Sequence, residues 1–241
     1  MKPINYAPGR QAQVEVVAID GLMLRLFEAI DEANVPWLLA AAARVRGALG
    51  EALVDLVPAY TTLYVQYDLA RLDAAQAHAC LARALAGLAP EPVAAGQEHV
   101  VPVWYDPSVG PELPVLAARS GLGVPGLIAR HCGRAYTVFA LGFTPGFAFM
   151  GLVEPVLAAP RLATPRQRVP AGSVGIGERQ TAIYPSVSPG GWNLLGRTPW
   201  SLVDAQGTCR FSPGDRVRFE AVGRDRFVEL GGDCSPLEVR E

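Results

Sequence analysis

Residues 141–199 read LGFTPGFAFMGLVEPVLAAPRLATPRQRVPAGSVGIGERQTAIYPSVSPGGWNLLGRTP, and this stretch decides how the second half of the chain is built. From Gly142 to Thr198 it sets nine glycines and seven prolines among five arginines, with only Glu154 and Glu178 as acids. Glycine admits positive φ and close backbone approach, whereas proline fixes φ and removes a donor. Backbone of this kind is stiff and irregular, and it is kept where a site must be shaped. The formal charge of the segment is about +3, which favours anions. The same composition also suits a series of tight turns between strands.

Around it, residues 136–141, 173–176, 181–184, 192–195, 200–203 and 217–222 read as short strands. Their close spacing and Gly/Pro turns predict a β-barrel or a sandwich. Ser212-Pro213-Gly214-Asp215 is a turn entering the closing strand. Upstream, Pro111 opens a short helix through Ala118, and Pro125 opens another that ends near His131. Residues 100–104 read as a strand that either closes a first sheet or opens the second domain.

The first ninety residues alternate differently. Leu22, Leu24 and Leu26 share one face of a strand, and Asn34 with Pro36 introduces a helix carrying Leu38, Leu39, Ala42, Val45 and Leu49. Strands at 53–57 and 62–67 follow, joined at residues 58–61. Asp73 then caps a second helix with Ala77, Leu81, Leu85 and Leu88 on its buried stripe. Strand–helix–strand–strand–helix predicts an α+β, ferredoxin-like layer. The small, proline-rich stretch 89–96 is a linker, so the expected domains are 1–95 and 96–241.

Composition excludes several classes. The chain has 241 residues, half of them apolar, with 25 Gly and 21 Pro and a net charge of −2. No basic run tracks a phosphate backbone, so nucleic acid is not an expected partner. The start lacks a signal-peptide core, and the longest small-apolar run, residues 37–43, is too short to span a bilayer. A soluble, cytoplasmic protein is expected. Cys80, Cys132, Cys209 and Cys234 form no C-x-x-C pair, and His78, His99 and His131 no metal spacing, so no metal is expected. Lys2 is the sole lysine, which removes any lysine-bearing phosphate loop or Schiff base inside the fold.

Candidate chemistry therefore rests on arginine. The guanidinium fork of Arg166, Arg168 and Arg197 matches carboxylate and phosphate oxygens. Arg166 and Arg168 alternate across Gln167, which places both on one face of extended backbone. Ser188, Gly190, Gly191 and Trp192 offer backbone N–H groups beside an aromatic surface, and Gln180 and Tyr184 add neutral polar groups. His131 ends a helix, where the dipole favours a cation, just before the strand leading to Phe143, Pro145 and Gly146. With these as catalytic and substrate-binding candidates, the segment still lacks an internal acid/base pair. It reads as half of an active site for a small anionic, amide or lactam substrate.

These motifs resemble the family of 5-oxoprolinase B subunits, also called the KipI or allophanate hydrolase subunit 1 family. The likeness is carried by His131 with Tyr136, LGFTPGFAFMG, PRLATPRQRVPAGSVGIG, QTAIYP, SPGGWNLLGRTP and PGDRVRF. The resemblance implies a ferredoxin-like domain followed by a cyclophilin-like β-barrel. It implies partnership with a C subunit, similar to allophanate hydrolase subunit 2, and with a LamB-like A subunit. Together these would carry out ATP-dependent cleavage of 5-oxo-L-proline to L-glutamate. Related branches act in carboxyl transfer to urea-type amides or inhibit a sensor histidine kinase. The family's motifs in the first domain are altered here to Asp20-Gly21 and Tyr60-Thr61-Thr62, and the one opening the second domain to Trp104-Tyr105-Asp106-Pro107.

Overall fold

The computed structural model describes residues 1–90 and 96–237, so most of the predicted linker lies outside the described residues. The chain divides into two compact units, Met1–Gly96 and Gln97–Glu241.

In the first unit the strands are β1 (Ile4–Ala7), β2 (Arg10–Ala18), β3 (Gly21–Arg25), β4 (Leu53–Ala59) and β5 (Thr62–Tyr67), with helices α1 (Val35–Leu49) and α2 (Ala74–Leu85). They form an antiparallel sheet in the order β1-β2-β3-β5-β4. The expected strand–helix–strand–strand–helix run is β3-α1-β4-β5-α2. Beside β3, however, lies β2, which the sequence pattern hides: of its nine residues only Ala12 and Val14 are buried. Residues Leu22, Leu24, Leu38, Val45, Leu63, Val65, Ala77, Leu81 and Leu85 meet in one core. Asp73 does cap α2, in a reciprocal box with Gln76 (2.8 and 2.9 Å). Asn34 precedes α1 but makes no capping bond; Asp31 caps a preceding single 3₁₀ turn, accepting from Ala33 N–H at 2.8 Å.

The second unit is built on β6 (Glu98–Val103), β7 (Ala135–Leu141), β8 (Ala148–Gly151), β9 (Arg166–Val169), β10 (Ser173–Gly177), β11 (Gln180–Ile183), β12 (Ser188–Gly190), β13 (Asn193–Arg197) and β14 (Arg216–Ala221). Seven of these form a sheet in the order β13-β10-β11-β8-β7-β14-β6, in which only the β14–β6 pair is parallel. Its two ends meet just beyond β6. Trp104 N–H donates to Arg197 O and Arg197 N–H to Trp104 O, each at 2.9 Å, so the sheet is a nearly closed barrel and not a sandwich. The ambiguous stretch 100–104 therefore belongs to this unit. Strands β9 and β12 form a separate two-stranded ribbon.

Every barrel strand feeds one core, from Val101, Tyr136, Met150, Val174, Ile183, Leu195 and Phe219 among others. Helices α3 (Leu113–Ser120) and α4 (Gly123–Cys132) add Leu113, Leu116 and Leu127 to it. A last helix, α5 (Arg224–Glu229), buries Phe227 against Trp104. Residues 200–203 are not the strand expected: Asp204 accepts N–H bonds from Gln206 (2.9 Å) and Thr208 (2.8 Å) and folds the chain into a turn, leaving a lone Val203–Cys209 bridge.

Closure leaves no room for side chains at the seam. A Cβ on Gly196 would lie 2.5 Å from Trp104 O, and one on Gly110 would overlap the Leu195 carbonyl. Gly196→Ala is expected to cost about 2–3 kcal/mol, the scale of overpacking. Gly47, in the last turn of α1 with open space where a Cβ would stand, should instead gain about 0.5 kcal/mol on change to alanine. Urea denaturation of both variants checks the pair.

Candidate functional site

Alternation sorts the barrel wall into two faces. Val174, Ile176, Thr181 and Ile183 point into the main core, and Ser173, Gly175, Gly177, Ala182 and Tyr184 lie on the opposite face. On that face the β9–β12 ribbon is packed through a second cluster of Phe147, Val169, Ala182, Tyr184, Trp192, Leu194 and Leu237. Glycine makes the fit possible. The Trp192 ring sits over Gly177, where a Cβ would come within 2.8 Å of Cδ2. A Cβ on Gly190 would overlap the Tyr184 phenol. Trp192 is thus only 5% exposed and acts as a packing wedge, with the Arg161 guanidinium over its ring at 5.8 Å.

Arg166 lies opposite Gly190 in the ribbon and pairs with Glu112 through its Nη2. The other Glu112 oxygen accepts from Leu194 N–H at 2.9 Å, so this carboxylate ties ribbon, α3 and barrel wall together. One Arg166 nitrogen, Nη1, is buried without a partner among the described residues, as is the Ser188 hydroxyl. Arg168 is exposed. Tyr184 is buried, which raises its phenol pKa, against the opposing pull of the Trp192 backbone N–H, Arg161 and Arg166.

Arg197 sits elsewhere, at the barrel seam. Its side chain is 2% exposed, and Nη1 donates to the carbonyls of Asp233 (2.7 Å) and Ser235 (2.9 Å) in the C-terminal segment. Burial lowers its pKa, which Asp233 partly opposes. The three predicted arginines therefore occupy three distinct surroundings: tied to Glu112, exposed, and buried at the seam. Their real partners, Glu112 and the 233–235 carbonyls, carry no local signal, being far away in sequence.

His131 is wholly buried against the Phe219 ring, stacked at 4.6 Å. Its Nε2 meets Thr181 Oγ1 at 3.0 Å, and its Nδ1 meets the Tyr105 hydroxyl at 2.7 Å. The Thr181 hydroxyl donates to Gly175 O (3.1 Å), so it accepts from Nε2–H, and Tyr105 donates to Nδ1. Burial lowers the imidazole pKa to about 3. The cation expected at this helix end is instead a neutral ring with both nitrogens committed. Of the remaining candidates, Phe143 is 64% exposed at φ 70°, Pro145 is exposed, and Gly146 is buried, with φ 83° and Val203 where a side chain would stand. Gln180 is half-buried at the β10–β11 turn. Among the described residues no group of three or more His, Cys, Asp or Glu could hold a metal, and no helix is long and apolar enough to cross a membrane.

Comparison with known proteins gives this architecture a class. Residues 12–211 match the family model of the carboxyltransferase domain, subdomain C and D. The chain belongs to the family of 5-oxoprolinase B subunits within that class. It is 33% identical over 227 residues to the 5-oxoprolinase B subunit of Bacillus subtilis (strain 168), covering 89% of this chain and 95% of that protein. The protein of the same name from Escherichia coli O157:H7 is 46% identical over 121 residues, 49% of this chain and 56% of the other. The crystal structure of TTHA0988 superposes with a TM-score of 0.74 at 40% identity, over 84% of this chain but only 40% of that longer one. Kluyveromyces lactis urea carboxylase shares the fold alone, with a TM-score of 0.71 at 14% identity over 91% of this chain and 22% of that one.

The buried imidazole makes stability depend on pH. Above about pH 6.5 the ring is neutral in both folded and unfolded chains and contributes no pH dependence. Between about 6.5 and 3 the unfolded chain takes up a proton that the native state refuses. Stability should therefore fall by roughly 1.4 kcal/mol per pH unit as pH drops through that window. Urea midpoints measured from pH 7 to pH 4 check this, and His131→Phe should flatten the slope.

Proposed function

We propose that this chain is the B subunit of a cytoplasmic, ATP-dependent 5-oxoprolinase, which helps cleave 5-oxo-L-proline to L-glutamate with a C-type partner and a LamB-like A-type partner. The observation that carries this reading is the 33% identity to the B. subtilis protein across 95% of its length. The site's chemistry supports a shared reaction centre. Glu112 is engaged by Arg166, Glu154 by Arg130 (2.7 Å), and His131 is buried and neutral. A general acid or base must reach the substrate, whereas these side chains are held by Arg166, Arg130, Tyr105 and Thr181.

In this reading the chain supplies binding and charge stabilisation. The exposed Arg168 and the unbonded edge of Arg197 provide positive charge, and Arg166, paired with Glu112, adds its unbonded Nη1; Gln180, Ser188, Gly190 and Gly191 provide neutral hydrogen bonds, with Tyr184 packed beneath Gly190. Trp192 holds the ribbon in place, and the loop of Phe143, Pro145 and Gly146 forms the rim. The residues described do not suit a whole triphosphate. Arg166 and Arg130 are already paired with carboxylates, Arg197 presents one short edge, and the sole lysine, Lys2, belongs to the first unit. ATP is accordingly assigned to the partner's side, and this chain contributes no step at the nucleotide.

The test is reconstitution. Co-expressed with its C-type and A-type partners, the chain should support ATP-dependent release of glutamate from 5-oxoproline, and alone it should release none. Arg166→Lys keeps the charge facing Glu112 but loses the planar fork, so turnover should drop about tenfold to a hundredfold with the fold intact. Full activity from the isolated chain, or none from the complete complex, would overturn the reading.

A further inference from the structure

Arg197 uses only part of its hydrogen-bonding capacity. Nη1 holds the Asp233 and Ser235 carbonyls, while Nε and Nη2, both buried, have no partner among the described residues. Those two nitrogens form one edge of the guanidinium, the edge whose parallel N–H bonds match the two oxygens of a carboxylate. Directly across the ladder, Ser173 is the register partner of Arg197. Opposed residues of an antiparallel pair project to the same face with Cβ atoms about 5 Å apart. A Cβ on Gly172 would lie 3.3 Å from Arg197 Cγ, so the arginine runs alongside this end of β10. The backbone of Ser173 is satisfied by Pro170 and Tyr184, yet its hydroxyl, fully buried, has no partner among the described residues. Buried polar groups are normally bonded, and a cluster of orphaned ones needs an explanation.

We propose that the Nε–Nη2 edge of Arg197 and the Ser173 hydroxyl form a subsite for the carboxylate of a small acid. Charge decides between candidate anions. A single guanidinium, whose other edge faces the largely exposed Asp233 carboxylate at 3.7 Å, balances a monoanion and not a phosphate dianion. A water molecule could fill hydrogen bonds here but would leave the buried guanidinium with only the solvent-screened Asp233 as counter-charge. In the reading above, which this subsite deepens and on which it rests only for the ligand's identity, the acid is 5-oxoproline. Its ring carboxylate would be gripped at the seam while the lactam remains available to groups from outside the chain. Ser173 is thereby a binding residue, although its surrounding sequence, AGSVG, fits no nucleophile motif.

The experiment follows the Arg197 Nε–H resonance in the full chain, assigned by its loss in Arg197→Lys. Sodium formate and 5-oxoproline are the probes, with sodium chloride and inorganic phosphate as controls at equal ionic strength. Saturable shifts with formate and 5-oxoproline, absent with chloride, are expected. Ser173→Ala should weaken formate binding about tenfold, the loss of one hydrogen bond to a charged group. Because it removes only an unbonded hydroxyl, it should fold, and it carries the test by calorimetric titration should Arg197→Lys fail to fold. An unmoved resonance, shifts matched by chloride, or a Ser173→Ala protein that binds formate as tightly as its parent would each overturn the proposal. Formate binding without 5-oxoproline cleavage by the complex would leave the subsite standing and sink the functional reading; cleavage without any response at Arg197 would do the reverse.

Discussion

The second unit depends on two hydrogen bonds between Trp104 and Arg197. Without them the seven strands form an open sheet with two exposed edges; with them the two ends are pinned at one bridge and the barrel is nearly closed. The contact is feasible because Gly196 and Gly110 carry no side chains where the backbones converge. It also fixes what lies on the outer face. Pairing of β13 with β10 sets Arg197 beside Ser173, and its side chain holds the C-terminal segment. The same pairing sets Leu194, three residues earlier on the same strand, against Glu112 and the ribbon. Architecture and candidate chemistry thus share one strand.

Buried polar groups do most of the stitching around this frame. Asn193 donates to the carbonyls of Pro160 (2.9 Å) and Ile176 (3.1 Å), holding the long loop before β9 against the wall. Asp215 accepts from Gln97 N–H and Ser212 N–H at 2.9 Å each and meets His99 at 3.0 Å, joining the starts of β6 and β14. Tyr105, His131 and Thr181 make a third such link between α4 and the barrel. Satisfied networks of this kind specify a unique arrangement, and their members are spent. That accounting commits His131, Asp215 and Asn193 to holding the unit together.

How much of this is legible in the sequence follows from the range of the forces involved. Periodicity and capping are local, so Leu22-Leu24-Leu26, the α1 and α2 stripes and the Asp73 cap can be read directly. Six of the barrel's seven strands are visible for the same reason, through their alternation and their glycine and proline turns; β8, a short stretch inside glycine- and proline-rich sequence, is not. Strands β1 and β2 escape such a reading because a sheet edge with an exposed face carries little apolar signal. Trp200–Val203 misleads because its apolar residues pack as a loop onto the core, with Arg210 over the Trp200 ring at 4.6 Å. Among the candidate residues, chemistry is legible and partnership is not. Arginine's fork can be inferred at 166 and 197, but Glu112 and the 233–235 carbonyls become their partners only when the barrel closes. Trp192 and Gly190, which read as a binding surface, interlock with Tyr184 and Gly177 as pieces of packing.

The seam joins residues 104 and 197, and five of the seven strands it encloses, β7, β8, β10, β11 and β13, lie within that span of the chain. A contact at such a sequence distance gives up loop entropy before it returns any bonding, and topologies rich in such contacts assemble slowly. Hairpins such as β10–β11 can nucleate locally, while the cylinder itself has to wait for its two margins to find each other. Until then β6 and β13 present unpaired edges, the condition under which strands from different molecules join. The seam is therefore where assembly of this unit is most exposed to error, and crowded synthesis is where that exposure would be felt first.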